Sequence, residues 1–432
     1  MVRLPRILTP LAQRDYALWW VATSISLLGD GIYLVALAWQ VYDLTRSPTA
    51  LSLVGLAWSV GLVGFLLVGG RVADRFDRRL LMVGADVARG LCVAAMGVLA
   101  VTGTAEVWQL VVLGFCFGTG EAFFTPASTA LIPQLVARER LPQANALQEV
   151  SRPLMVRLLG PAVGGVLVAT LGAGTAFLVD AASFAVAVGC VLAIRSRPEL
   201  APADPDAHAT AGSIREAAAW GRTQPWFWAT LITVAVSLMT TIGPIEVLLP
   251  LVVRDDLGEG AGAYGTVLAV GGLGGVVGGL VMGQRDLPVR KLRVMYLAWA
   301  LCSLAVCGYA LGTATWQLAL LAFGESLGIS VGMVVWSTLM QTRTPQGMLG
   351  RASSLDWLVS LGLAPLSFAL TGPIAALVGT DATLIGAGVL GFAAPLAMFV
   401  LVPRLRADDA ASVAAARSAQ APSVARSSPK PG

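Results

Sequence analysis

The chain has 432 residues, 56% of them hydrophobic and 12% charged, about half the charged share of a soluble domain. That composition belongs in a membrane, and a single histidine, His208, excludes most histidine metal sites and Ser/His or Cys/His nucleophilic pairs. The formal net charge of +4 is informative through its distribution rather than its size. All five cysteines, Cys92, Cys116, Cys190, Cys302 and Cys307, lie in apolar segments without metal-type spacing, so they read as packing residues.

Arg3, Arg6 and Arg14 precede a stretch long enough to span a bilayer, so the first helix is expected to act as an insertion signal, not a cleaved leader. Apolar stretches of about 20 residues, enough to cross some 30 Å of hydrocarbon, fall near 17–41, 50–70, 80–101, 107–131, 151–170 and 174–194. After a polar interval come 227–253, 264–284, 292–312, 315–339, 354–378 and 383–403. With a cytoplasmic N-terminus, Arg71, Arg75, Arg78 and Arg79 share an inner loop, and Arg285, Arg290, Lys291 and Arg293 share its counterpart; only Arg46 and Arg254 face outward. This positive-inside pattern predicts a multi-pass cell-membrane protein with both termini cytoplasmic.

The expected fold is an all-α membrane protein of twelve transmembrane helices in two pseudo-symmetric six-helix bundles, residues 1–194 and 227–403. A cytoplasmic linker, 195–226, carries a short amphipathic helix in SIREAAAWGRTQPW. The Ala/Ser/Pro/Arg tail, 404–432, is expected to be disordered because it has little to bury. Glycine runs at Gly61–Gly70 and Gly271–Leu280 allow helix backbones to approach closely.

Charges inside the spans are the candidates for function. Asp30, Glu121, Glu246 and Glu325 each stand as a lone carboxylate in an apolar segment, where a charge at the bilayer centre costs about 2.5–3.5 kcal/mol. Asp86 and Arg89, three apart on one helix, read as a structural pair. Arg157 has no acid at i±3 or i±4, so it finds a carboxylate across a helix contact or faces a cavity. Asp356, near the inner end of the eleventh span, reads as a capping or interhelical hydrogen-bonding residue. Most tryptophans in the spans, Trp58 and Trp336 among them, read as belt or packing residues.

The loop after the second span reads GRVADRFDRR, from Gly70 through Asp74, Arg75, Asp77 and Arg78 to Arg79. It resembles the G-x-x-x-D-R-x-G-R-[KR] signature of the major facilitator superfamily, with Asp77 where that signature usually has glycine. The DRFDRR form is similar to the branch containing macrolide-type and enterobactin-type exporters. So are GTGEAFFTPASTALIPQLVARERLPQANAL (118–147), AFLVDAASF (176–184) and QTRTPQGMLGRASSL (341–355). GPAVGG at Gly160–Gly165 is similar to the end of an antiporter motif, with Val156 where a glycine is expected.

The resemblance implies that Gly70, Asp74, Arg75, Arg78 and Arg79 form a cytoplasmic latch. In it Asp74 would meet the start of the eleventh span near Ser353, and Arg78 or Arg79 would pair with Glu139. It implies that spans one, four, seven and ten, which hold Asp30, Glu121, Glu246 and Glu325, line a central cavity, and that Asp180 lies on a scaffold helix. A carboxylate held away from water takes up a proton more readily, so a cavity acid can bind a proton or a cationic substrate, and competition between the two is antiport.

The implied activity is proton-coupled efflux of amphipathic small molecules by alternating access, driven by the proton gradient with no cofactor and no metal. A siderophore or lysophospholipid carrier of the same fold is the alternative, through an anion at Arg157. The expected partners are a small-molecule substrate and the lipid bilayer, not nucleic acid, and the expected state is a monomer. A polytopic membrane enzyme is disfavoured by the shortage of histidine and by the lack of a G-x-x-x-x-G-K-[ST] phosphate loop.

Overall fold

The computed structural model describes residues 6–137, 140–195, 219–284, 288–345 and 349–420. Its regular elements are helices, as the bilayer requires: with no water to bond exposed backbone, each spanning segment must satisfy its own N–H and C=O groups. They are α1 (Arg14–Thr45), α2 (Pro48–Arg75), α3 (Arg78–Val101), α4 (Val107–Leu135), α5 (Leu141–Pro153), α6 (Gly160–Leu192), α7 (Pro225–Leu251), α8 (Ala261–Gln284), α9 (Lys291–Leu311), α10 (Thr315–Arg343), α11 (Leu349–Gly362), α12 (Ala364–Val378), α13 (Thr380–Leu401) and α14 (Pro403–Gln420). Among the described residues, eleven helical stretches are long and apolar enough to cross a membrane.

The fifth and sixth expected spans run on as one such stretch, Gln143–Leu192. It holds 50 residues, about 75 Å of helix at 1.5 Å per residue, more than twice the hydrocarbon thickness. It does not run straight, because Gly172 has φ 83° and ψ 163°, a conformation open only to glycine. Before that turn Gly160 lies against Gly31, and Gly164 against Ile32 and Val35, so the chain runs parallel to α1. After it Gly174 meets Val101, Leu178 meets Gly97 and Phe184 meets Gly90, antiparallel to α3.

Two further departures from expectation follow from local chemistry. The eleventh span is broken at Leu363, between α11 and α12, where Pro365 opens the new helix. Proline has no backbone N–H and is tolerated in a first helical turn. The tail expected to be disordered is helical over Pro403–Gln420; alanine-rich sequence carries high helix propensity, and Leu405 is fully buried. Arg343 bonds Asp408 at 3.0 Å, fastening α14 to α10. Of the expected linker helix, 213–218 lie outside the described residues, as do 421–432, while 219–222 are helical and run into the turn before α7.

Helix pairing is α1 with α6, α2 and α3 with α4, α3 with α6, α8 with α10, and α9 with α10 and α13; α7 packs on α12 and α13. The most extensive pairs that cross between the earlier and later helices are α2 with α12 and α6 with α8; α1 and α2 also touch α7. The glycine runs do what their composition suggests: a Cβ on Gly274 would sit 2.8 Å from the Phe323 Cα, and one on Gly69 would sit 3.1 Å from the Phe123 Cα; outside the runs, one on Gly165 would sit 3.0 Å from the Gly265 Cα.

The buried apolar residues form three clusters. One draws on both sets of helices, from Ile32 and Val54 to Val247, Tyr264 and Phe368. The second holds only residues between Tyr16 and Ile194, and the third only residues between Trp226 and Leu405. The helices therefore share a core at the end where α1 finishes and keep separate cores at the end where it begins.

Candidate functional site

Arg89, on α3 and 2% exposed, is the hub of the charged interior. It donates to Asp86 one turn earlier on its own helix, and lies 3.9 Å from the Oδ2 of Asp30 on α1. Its guanidinium carbon sits 4.3 Å from the ring centre of Phe124, 4.8 Å from that of Phe184 and 5.8 Å from that of Phe117. An aromatic cage of this kind stabilises a cation stripped of water. The GTGEAFF segment of α4 builds it: Gly120 leaves room for the Arg89 stem, since a Cβ there would lie 2.7 Å from its Cγ, while Phe124 closes over the charge.

Around this one guanidinium stand four carboxyls from four helices. Asp86 takes the direct bond. Glu121 of α4 accepts the indole N–H of Trp58 at 3.0 Å. Asp30, with 22% of its side chain exposed, has an Oδ1 that is buried without a hydrogen-bond partner. Asp180 of α6 is fully buried and, among the described residues, accepts from Ser183 alone, at 3.2 Å.

Asp30, Arg89 and Glu121 open onto a cavity of about 60 Å³ whose other walls include Thr23, Ser26, Ser128 and Arg152. The volume suits a few waters and is far below that of a drug-sized site. The hydroxyls give it a polar wall.

A second group lies between the earlier and later helices. Arg157 is exposed, on a π-helical turn, Leu154–Leu159, that follows Pro153. Such turns are frequent at functional sites. Its backbone carbonyl packs on Gly272 of α8, and its charge acts on Glu246 of α7 and Glu325 of α10. Glu325, 8% exposed, also accepts the Tyr309 hydroxyl.

The structure thus gathers Asp30 and Glu121 at Arg89, and Glu246 and Glu325 near Arg157. The Asp86–Arg89 pair is made, but it is not isolated, because Arg89 also faces Asp30. Asp356 accepts the Trp336 indole N–H at 3.1 Å, an interhelical bond.

In the basic loop, Asp77 caps α3, accepting from the backbone N–H of Arg79 at 2.8 Å and of Leu80 at 3.3 Å. The residue that departs from the superfamily signature is therefore a helix N-cap, a position that favours aspartate. Arg78 donates to the Ala130 carbonyl at 2.9 Å and Arg79 to that of Ile194 at 2.5 Å, tying α3 to the ends of α4 and α6. Arg75 ends α2 in an exposed position, and a Cβ on Gly70 would meet nothing. The expected contacts of Asp74 with Ser353, and of the arginines with Glu139, lie outside the described residues.

Sequence reasoning missed several members. Arg89 was legible as half of a local pair, and its cage was not, because Phe117, Phe124 and Phe184 come from two other helices. Trp58 and Tyr309 carried no signal beyond being aromatic. At the far end, Arg254 bonds Asp43 at 2.6 Å with its guanidinium carbon 5.1 Å from the Trp39 ring centre, joining α1 to the end of α7. Arg254 and Asp43 could have been found as an isolated outer arginine and an acid at a helix end.

Chemically, the site offers carboxylates that can hold and release a proton or a cation, and arginines that compete for them. Among the described residues, no group of three or more His, Cys, Asp or Glu is placed to hold a metal ion.

A family model of the MFS (major facilitator) type, described as transmembrane secretion effector, matches residues 6–429. The chain is 28% identical over 401 residues to the multidrug efflux pump Tap of Mycolicibacterium fortuitum, covering 89% of this chain and 94% of that one. It is 30% identical over 382 residues to the enterobactin exporter EntS of Citrobacter koseri, covering 86% and 87%. Among solved structures, the nucleoside transporter NupG superposes with a TM-score of 0.72 at 9% identity, covering 89% of this chain and 99% of that one. The human organic anion transporter MFSD10 superposes with a TM-score of 0.58 at 17% identity, covering 89% and 99%.

Proposed function

Because the chain belongs to the transmembrane secretion effector family of the major facilitator superfamily, we propose that it exports an amphipathic small molecule by alternating access, driven by proton entry. The polypeptide crosses the membrane twelve times in two six-helix bundles. The reversal at Gly172 supports this reading by dividing the long fifth stretch into two crossings, and the separate cores at one end of the molecule support two bodies that hinge about the shared core at the other. The inner end is the one with separate cores and carries both termini, in line with the bias of Arg and Lys in the loops. One chain contains the whole pathway and acts as a monomer.

The observation that carries the reading is the charge imbalance at Arg89: four carboxyls, of which Asp30 is both partly open to the cavity and without a partner on Oδ1. Such an acid exchanges a proton or a substrate cation without breaking a strong bond. One proton crossing about 100 mV gains about 2.3 kcal/mol, and one pH unit adds about 1.4. Together these sustain a gradient of several hundredfold at about 1.4 kcal/mol per decade.

The multidrug pump and the enterobactin exporter among the relatives support a small-molecule cargo of either kind. The acids at Asp30 and Glu121 favour neutral or cationic cargo. An anionic siderophore is the second reading, supported by the exposed Arg157.

The test is transport by the purified protein in liposomes under an imposed pH gradient, with ethidium, a macrolide and a catecholate iron chelator as probes. Gradient-driven movement of ethidium or the macrolide, reduced by Asp30→Asn, is the expected result. Movement of the chelator alone would select the second reading. Normal gradient-driven flux in each of Asp30→Asn, Glu121→Gln, Glu246→Gln and Glu325→Gln would remove the coupling mechanism.

A further inference from the structure

Beside Arg89, whose own Nε also lacks a partner among the described residues, three buried oxygens are left without hydrogen-bond partners: Asp30 Oδ1, the Tyr33 hydroxyl and Asp180 Oδ2. Buried polar atoms are nearly always paired, and each exception calls for an explanation. These three belong to one place. Gly29 and Tyr33 share a face of α1, four residues apart, and Asp30 lies beside Gly29 and one turn from Tyr33. Asp180 packs on that face: a Cβ on Gly29 would sit 3.1 Å from its Cγ. The Tyr33 ring stacks on Phe117 at 4.8 Å and lies 5.8 Å from Phe177, one turn before Asp180 on α6.

We propose that Asp30, Tyr33 and Asp180 form a shared proton site, in which Asp180 is the sealed holder of the proton and Asp30 passes it to and from the cavity. The superfamily resemblance assigns Asp180 to scaffold, and the geometry gives it this further role. Fully buried, its carboxyl has one neutral hydroxyl donor, Ser183, and no direct bond to a cation. An ionised carboxylate so placed is strongly disfavoured unless paired. A protonated one has an O–H to donate from Oδ2, and Asp30 Oδ1 is an acceptor without a donor. The Tyr33 hydroxyl, unpartnered in this structure, would accept from one and donate to the other when side-chain motion closes the gap, relaying the proton with no net change of its own.

The groups facing this site are Asp86, Arg89 and Cys92 from α3, Glu121 from α4, Arg152 from α5 and Ser183 from α6 itself. Arg89 holds Asp86 directly and Asp30 at 3.9 Å. It therefore competes with the proton for Asp30 and leaves Asp180 to be neutralised by the proton. Asp30 lines the cavity, whereas Asp180 and Tyr33 do not, so the order is cavity, Asp30, then Asp180.

This inference deepens the proton-coupled reading and rests on it for its use, but its first test does not. Infrared spectroscopy of the full-length protein in liposomes reads the C=O stretch of a protonated carboxyl as pH is raised. We expect such a band at neutral pH, its loss in Asp180→Asn, and a shift in the pH at which it disappears in Asp30→Asn and in Tyr33→Phe. The last variant keeps the stack on Phe117 and decides the matter if Asp180→Asn does not fold. A band unchanged in Asp180→Asn, or one whose titration ignores both Asp30→Asn and Tyr33→Phe, overturns the proposal.

The second readout is ethidium movement with and without an imposed pH gradient. Loss of the gradient-driven part in Asp180→Asn, with downhill movement retained, supports the role; a parallel fall in both marks Asp180 as structural and overturns it. If the bands behave as expected while wild-type ethidium movement ignores the gradient, the shared site stands and the coupling reading fails.

Discussion

Replacing Arg89 by methionine tests whether the guanidinium is the keystone of the N-terminal helices. The substitution keeps an unbranched apolar stem against Phe117, Phe124 and Phe184 and removes the charge that Asp86 and Asp30 face. Asp86 is 1% exposed, so it becomes a buried carboxylate without a counter-charge. Breaking a buried pair from one side costs about 3–5 kcal/mol, and the lost cation–π contacts add about 0.5–2 kcal/mol.

Two controls separate this cause from poor packing. At acid pH the orphaned carboxylate is neutral, so the loss should shrink as pH falls. In the double variant Asp86→Leu/Arg89→Met, which replaces the pair by apolar groups, stability should recover in part, the remaining loss being that of Asp30 left without its counter-charge. The assay is reversible unfolding in mixed micelles followed by tryptophan fluorescence. A single variant within about 1 kcal/mol of wild type at neutral pH, or a double variant no more stable than the single, would refute the argument.

At the outer end, Arg254→Ala removes a bond to Asp43 whose partners are 22% and 47% exposed. A pair so wetted is worth about 0.2–1 kcal/mol, with a comparable amount from Trp39, so the outer contact should open about fivefold more often. The rate at which an impermeant maleimide labels a cysteine at Ser52, packed beneath Gly372, checks this. Gly265→Leu should push α8 away from α6 at Gly165 and abolish ethidium transport, whereas Gly189→Leu, where a Cβ meets nothing, should be tolerated; equal activity of the two would sink the close-packing argument.

Asp409 on α14 is buried, and desolvation holds its carboxyl above the usual carboxylate range, opposed by its bond from the Arg293 N–H and by Arg290 and Arg293. Its contribution to docking is therefore full below about pH 4, the unfolded value, and is lost as pH rises through its folded value. Asp409→Asn should slow hydrogen exchange of α14 at neutral pH and make no difference in acid.

The individual acids were legible because an isolated carboxylate in an apolar run stands out against its neighbours. Asp30, Glu121, Glu246 and Glu325 were singled out that way, and Arg157 by its lack of a local acid. Arg89 was misjudged in scope, since its spacing from Asp86 was enough to explain it locally. The Phe117, Phe124 and Phe184 cage is assembled from residues far apart in the chain, and nothing in one dimension distinguishes a caging phenylalanine from one facing lipid. Asp77 shows the reverse: a departure from a signature that local helix-capping chemistry explains. The tail over Pro403–Gln420 was misjudged because composition alone undervalued a few docking contacts, Leu405 and Asp408 among them.

What the sequence determined by itself is whatever the bilayer dictates to each segment separately: length, apolarity, loop charge and helical backbone, because in hydrocarbon every segment must satisfy its own hydrogen bonds. What only the tertiary structure decided is which charges meet. Asp180 lies 150 residues beyond Asp30 in the chain, and the two become neighbours because Gly29 lets α6 approach α1 and Gly172 turns the chain back to bring Asp180 there. Charge partnership in a low-dielectric interior depends on distances of a few ångströms, and those distances are properties of helix packing.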